Sequence, residues 1–328
     1  MSDCRSILIV SDIHFAGDEE RQRRNYELNA IRNLWLRWLV TFYRRYIWMR
    51  DPFAHNHLLD CVLQHPETPD FVVANGDYSC DTAFVGVSDP AACASARECL
   101  ARLRRRFGAK FHATIGDHEL GKMSLVGGQG GMRLASWRRA QEELELRPFW
   151  KVSIGNYALL GITSSLVALP VYEPETLPDE RDEWQALRQL HLSEIRRSFA
   201  ELRSSDRVLL FCHDPTALPF LWQEEVVRNK IRQVEKTIIG HLHTSLILWK
   251  SRLLAGMPPL TFLGNSVRRM SLALHEAKHW RPFNVLLCPA LAGIELLQDG
   301  GYLGVKIEMT GEKPARFELH RTRHFDKR

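Results

Sequence analysis

The sequence predicts an α/β protein in which buried strands deliver acidic and imidazole side chains from their carboxyl ends to a common pocket. Three observations predict it. Short continuous runs of Val, Ile, Leu and Phe read as strands buried on both faces. Each run is followed by Asp or His in a short turn-like motif, and strand carboxyl ends are where open α/β sheets place their ligands. Other stretches carry apolar residues at three- and four-residue steps, the period of helices that cover a sheet.

The elements follow in order. Ser6 to Val10 is the first strand, and Asp12-Ile13-His14 comes after it. Residues 17–60 read as an aromatic and arginine-rich helical insertion; within it His55-Asn56-His57 opens a helical pattern and lacks a carboxylate at ligand spacing. Phe71 to Ala74 precedes Gly76-Asp77, and a helical run from Ala91 ends in Arg102, Arg104, Arg105 and Arg106, where cations suit the helix dipole. Phe111 to Ile115 leads into Gly116-Asp117-His118-Glu119. Gly127, Gly128, Gly130 and Gly131 then suit either a mobile loop over the pocket or a plain surface loop. Trp184 to Leu202 is an amphipathic helix, Val208 to Cys212 precedes His213-Asp214, and Thr237 to Ile239 precedes Gly240-His241-Leu242-His243. Arg268 and Arg269 either clamp a second phosphate of a substrate or end a solvated strand.

Asp12, His14, Asp77, Asp117, His213, His241 and His243 offer only nitrogen and oxygen. That disfavours a structural zinc cluster and leaves Mn, Fe, Zn or Mg open. Two divalent cations sharing Asp77 would lower the pKa of a bridging water, aim the resulting hydroxide at phosphorus and stabilise the oxyanion. His118 is placed to protonate the leaving oxygen or brace the equatorial oxygens, with Glu119 as the partner that orients it.

These motifs, in this order, resemble the calcineurin-like metallophosphoesterase superfamily from Ser6 to about Arg269. The resemblance implies a four-layer sandwich of two mixed β-sheets flanked by helices. It also implies that Asp12, His14 and His243 hold one metal, that Asp77 bridges, and that position 117 with His213 and His241 holds the second. The departure is Asp117, where the family has Asn. Its carboxylate adds one negative charge, which should tighten metal retention and weaken Lewis acidity.

The chain of 328 residues, with 45% hydrophobic and 25% charged residues, suits one globular metallophosphoesterase domain over 1–328. Its seven cysteines are scattered without a Cys-x-x-Cys, which reads as reduced thiols in a cytoplasmic protein. A strand begins within a few residues of Met1, so no signal peptide is expected. The best apolar stretch, Val285 to Leu297, is interrupted by Pro289 and Glu295 and is too short to span a membrane.

Ile31, Leu34, Trp35, Trp38, Leu39, Phe42 and Tyr46 define one apolar helical stripe. From Arg21 to Arg50 eight arginines stand against Glu27 alone, a balance of +7 in a chain that totals +5, so the remainder sums to −2. The stripe either packs on the sheet, the commoner arrangement for such helices, or faces an anionic membrane surface through residues 31–50, a peripheral site at the inner membrane face. No obligate protein partner is evident. Tyr78-Ser79-Cys80-Asp81 follows Gly76-Asp77 where phosphoprotein phosphatases of the superfamily carry an arginine, which argues against monoesters. The expected substrate is a phosphodiester or pyrophosphate, lipid-linked as in the UDP-2,3-diacylglucosamine pyrophosphatases that this chain loosely resembles; those enzymes of the best-known type have Arg at the place of His118. The alternatives are a nuclease-like phosphodiesterase using the arginines on nucleic acid, and a binding scaffold without metals. Gathering the aromatics on one stripe tells against the first, and filled ligand positions tell against the second.

Overall fold

The computed structural model describes residues 4–124, 128–256, 258 and 265–322, with the side chains of 252 and 265–270 outside the description. Among the described residues, ten strands form two five-stranded sheets. The first contains β1 (Cys4–Val10), β2 (Phe71–Ala74), β3 (Phe111–Ala113), β9 (Gly301–Glu308) and β10 (Arg316–Arg321), in the order β10-β9-β1-β2-β3. The second runs in chain order through β4 (Phe149–Ile154), β5 (Tyr157–Ile162), β6 (Arg207–Cys212), β7 (Val234–Ile239) and β8 (Val285–Leu287). Each sheet is mixed. β1, β2 and β3 are parallel, as are β5 through β8, while β9, β10 and β4 pair antiparallel.

Alternation along the strands builds the layers, because successive side chains of a strand point to opposite faces. Ile7, Ile9 and Val73 of the first sheet meet Leu159, Leu209, Phe211 and Ile238 of the second in one cluster. Their neighbours Leu8, Val10, Val72, Leu160 and Leu210 face the other way, into a core shared with helices such as Pro90–Phe107 and Arg181–Ala200. The result is helices on two face-to-face sheets, as the sequence led us to expect. The parallel strands of both sheets bring their carboxyl ends to a common edge, where their loops interlock: after β7, His241 N–H donates to Asp12 Oδ1, after β1, at 2.9 Å, and after β6, His213 Nδ1 donates to Asn75 O, after β2.

Pro90–Phe107 starts at Asp89, whose side chain caps Ala92 N–H, and ends with Arg104, Arg105 and Arg106 in its last turn. In Arg181–Ala200 the stripe of Trp184, Leu192, Ile195 and Phe199 is buried. The segment 31–50 behaves differently. Ile31 is buried, but the helix Leu34–Tyr43, capped by Asn33, buries none of its residues, nor does the π-helical turn Arg44–Trp48. The commoner expectation, a stripe packed on the sheet, is therefore overturned. Among the described residues no helix is long and apolar enough to cross a membrane, and all seven cysteines are free thiols.

Candidate metal centre

Five loops build the site. Asp12 and His14 follow β1, Asp77 follows β2, Asp117 and His118 follow β3, His213 follows β6, and His241 and His243 follow β7. Asp12, His14, Asp77, His241 and His243 all have left-handed backbone, with φ of 49°, 48°, 60°, 58° and 60°. Non-glycine residues hold that conformation only where the surroundings over-determine it, at a cost on the order of 1 kcal/mol or more each. Gly76 and Gly240 permit the close packing beneath. A Cβ on Gly76 would lie 2.7 Å from Gly116 Cα, and one on Gly240 would lie 2.1 Å from Ser11 Oγ and 2.4 Å from Asp12 Oδ2.

The ligand-type atoms converge in four overlapping groups: Asp12, His14 and His243; Asp12, Asp77 and His213; His14, Asp77 and His118; and Asp117, His213 and His241. Within each group the atoms lie inside 4.8 Å of one another. Asp77 shares one group with Asp12 and His213 and another with His14 and His118, so its carboxylate touches both sides of the cluster, where a bridging ligand would sit; Asp12, His14 and His213 are also shared between two groups. His243 Nε2 is 3.4 Å from Asp12 Oδ1, His213 Nε2 is 3.1 Å from both Asp77 Oδ2 and Asp117 Oδ1, and His241 Nδ1 is 2.8 Å from Asp117 Oδ1.

The imidazoles are oriented from outside, as metal-ligating histidines usually are. His14 Nδ1 donates to Ser79 O at 3.2 Å and His213 Nδ1 to Asn75 O, so the Nε2 of each faces the pocket. His14 Nε2 and His243 Nδ1 are buried without a hydrogen-bond partner among the described residues. Asp214 lies 4.0 Å from His241 Nε2 and is itself held by the Tyr172 hydroxyl and by Thr216 N–H at 2.8 Å. The orphaned inward Nε2 of His14, and the close approach of His243 Nε2 and His213 Nε2 to buried carboxylates, are what a cation pair would satisfy, so the residues fit the implied metals.

Electrostatics point the same way. Burial and Asp117 both oppose ionisation of Asp77, yet His213 and His118 hold its carboxyl far below the usual range. Burial opposes ionisation of Asp117 as well, but His241 and Lys122 hold it well below the ordinary value. Asp12 is raised, chiefly by burial. Burial would lower His213, but Asp77 and Asp12 raise it well above an ordinary histidine. Burial lowers His118 to about 4 and holds His243 well below the ordinary histidine range. His118 is thus a neutral hydrogen-bond donor, with its ring 4.7 Å from that of His14 and its Nε2 3.9 Å from Asp77 Oδ2.

Two expectations need correction. Glu119 does not hold the His118 ring. Its carboxylate accepts backbone N–H bonds from Gly116 at 2.8 Å, Asp77 at 3.0 Å and Tyr78 at 2.8 Å, stapling the β2 loop to the β3 loop. Its pKa is raised to about 8 by burial and by Asp77, against those three donors. The charge added by Asp117 is not left bare either, because Lys122 Nζ sits 2.8 Å from Asp117 Oδ2. The lysine returns the formal balance of the centre to that of a site with two carboxylates, so the expected loss of Lewis acidity is offset. Sequence reasoning missed Lys122, Ser11, whose hydroxyl donates to Asp12 Oδ2 at 2.6 Å, and the Asp214–Tyr172 pair. Only Asp214, adjacent to His213, carried a signal.

Arg268 and Arg269 fall in the helix Asn265–Glu276, and their side chains lie outside the described residues. Asn56 exchanges two hydrogen bonds with the Ala16 backbone, and neither His55 nor His57 joins a metal-type group among the described residues. Gly131 N–H donates to Phe84 O at 2.8 Å, which ties that end of the glycine run down; Gly127 lies outside the described residues.

The family model described as calcineurin-like phosphoesterase matches residues 5–245. Among solved structures, a dimetal phosphatase from Danio rerio is similar with a TM-score of 0.50 and 12% identity over 97% of this chain and 96% of that one. A phosphopantetheinyl hydrolase from Mycobacterium tuberculosis gives a TM-score of 0.35 and 14% identity over 74% of this chain and 84% of that one. No curated protein sequence matches.

Proposed function

The chain belongs to the calcineurin-like phosphoesterase family, and from that premise we propose that it hydrolyses a phosphodiester or pyrophosphate joined to a lipid portion, of the type of UDP-2,3-diacylglucosamine. The observation that carries this reading is the convergence of seven N and O ligands from five loops, with Asp77 shared. Asp12, His14 and His243 would hold one divalent cation and Asp117, His213 and His241 the other. Bound there, the pair supplies an activated water and Lewis-acid stabilisation of the phosphoryl oxygens.

The chain's own residues do the rest. Asn75 and Ser79 orient the imidazoles of His213 and His14, and Glu119 fixes the distance between the β2 and β3 loops. His118, neutral through burial, donates a hydrogen bond to a phosphoryl or leaving oxygen. No guanidinium follows Asp77 to grip a terminal phosphate: Tyr78 is buried, its hydroxyl shared between the carbonyls of Ala74 at 3.0 Å and Thr114 at 2.8 Å. That favours a diester or pyrophosphate over a monoester.

The test is turnover of bis-p-nitrophenyl phosphate against p-nitrophenyl phosphate with added Mn, Zn or Mg. Preferential diester hydrolysis is expected; a chain inert with every metal would refute the reading. A panel of UDP-acyl-sugars, nucleotides and single-stranded DNA then resolves the substrate. Salt-sensitive cleavage of DNA would replace the lipid-linked reading with a nuclease.

A further inference from the structure

We propose that the exposed face of Leu34–Trp48, with the outer faces of Ser245–Leu253 and of the turn at Leu296-Leu297, docks on an anionic bilayer and holds the mouth of the metal centre at the membrane surface. The docking rests on the phosphohydrolase reading only for what it presents to the centre. Trp35 is 82% exposed, Leu34 74% and Trp38 63%, on a helix that buries no residue. Contiguous apolar surface of this kind marks an interaction site, whereas scattered single residues do not.

Backbone contacts gather the three pieces at one rim. The Trp48 carbonyl accepts from Glu295 N–H at 2.8 Å, and Glu295 accepts from Arg50 N–H at 2.7 Å. Glu295 leads directly into exposed Leu296 and Leu297. The Trp48 ring lies 5.5 Å from that of His243, a residue of the metal centre, and His243 leads into the helix Ser245–Leu253, which exposes Trp249 and Leu253. The apolar face therefore borders the centre.

Charge selects the occupant. Arg21, Arg23 and Arg44 are paired with Asp18, Asp89 and Glu27, and Arg37 donates to the Ile31 carbonyl. Arg24, Arg32, Arg45 and Arg50 are exposed and make no ion pair among the described residues. No acid lies between Leu28 and Arg50. Tryptophans beside unpaired arginines match lipid headgroups, where indole rings sit at the interface and cations meet phosphates. A second copy of the chain would set these arginines against each other, which disfavours self-association. A ten-residue helix is too short to span and lies along the surface.

The full-length protein is sedimented with vesicles of phosphatidylcholine containing phosphatidylglycerol, and with phosphatidylcholine alone. Binding to the anionic vesicles that weakens with salt is expected. Trp35→Ser/Trp38→Ser should weaken it about ten-fold or more. Arg32→Gln/Arg45→Gln should also weaken it, by about five-fold for each arginine. Both variants should keep the wild-type rate on soluble bis-p-nitrophenyl phosphate. Absence of anionic-vesicle binding at low salt, or undiminished binding by the tryptophan variant, overturns the proposal. A dimer that the tryptophan variant dissolves overturns it too, assigning the face to a second copy. Vesicle binding by a protein inert towards phosphate esters refutes the phosphohydrolase reading and leaves the docking intact.

Discussion

Replacing Lys122 with Met should make the centre bind metal more tightly, not less. The ammonium lies 2.8 Å from Asp117 Oδ2, and Asp117 is fully buried while Lys122 is about a quarter exposed. At an effective dielectric near 20, unit charges at that distance attract by about 6 kcal/mol. Exchange with solvent leaves a net of about 1.5–3 kcal/mol, the range of charge-assisted hydrogen bonds. A cation that takes Asp117 must compete with the lysine for it. Removing the lysine therefore lowers the metal dissociation constant about ten- to hundred-fold, while the metal-free protein melts at a lower temperature. Asp117→Asn should do the reverse and weaken retention, because the lysine then faces the cation without its partner. The double variant should recover part of that loss. Titration of Mn or Zn against a chelator, run on all four proteins, measures the cycle. Unchanged or weaker binding by Lys122→Met would refute the view that this lysine offsets the third carboxylate.

Other consequences can be measured separately. Gly240→Ala would drive a methyl into Ser11 and Asp12; metal content should fall with activity, by more than about a hundred-fold, and full occupancy would contradict the packing argument. His118→Asn should lower kcat by about two to four orders of magnitude with metal content unchanged; loss of a metal would make His118 a ligand instead. His191 is buried, its Nε2 accepts from Thr163 N–H at 3.1 Å, and burial lowers its pKa from 6.5 to about 3. The unfolded chain thus binds this proton more readily. The contribution of the neutral ring is complete above pH 6.5 and is lost as pH falls towards 3, about 2 kcal/mol by pH 5. Denaturant titrations of His191→Gln should show a flatter acid limb, and an identical limb would show that the ring does not titrate on unfolding.

Much of the site was legible because its ligands sit next to apolar runs. Phe71–Ala74 and Arg207–Cys212 are buried on both faces, so their sequences carry no polar interruption until the chain reaches the pocket. The edge strand β10, whose residues are all exposed or half-buried, offers no such run. Periodicity located the helical stripe of residues 31–46 but not its orientation, since the same spacing serves a helix packed on a sheet and one packed on something outside the protein. Glu119 shows a different limit. Its proximity to His118 in sequence suggests a pair, but as the third residue of the helix Asp117–Leu120 its carboxylate curls back to Gly116 N–H, the ordinary behaviour of glutamate there. Lys122 reaches Asp117 from just beyond that helix, a contact that no ligand motif encodes.

Family membership and the ligand groups imply two cations in this pocket, one on either side of Asp77. Anomalous diffraction from crystals equilibrated with Mn tests this directly. Two peaks should appear, one against Asp12, His14 and His243 and one against Asp117, His213 and His241. A single peak, or none at these residues, would contradict the account.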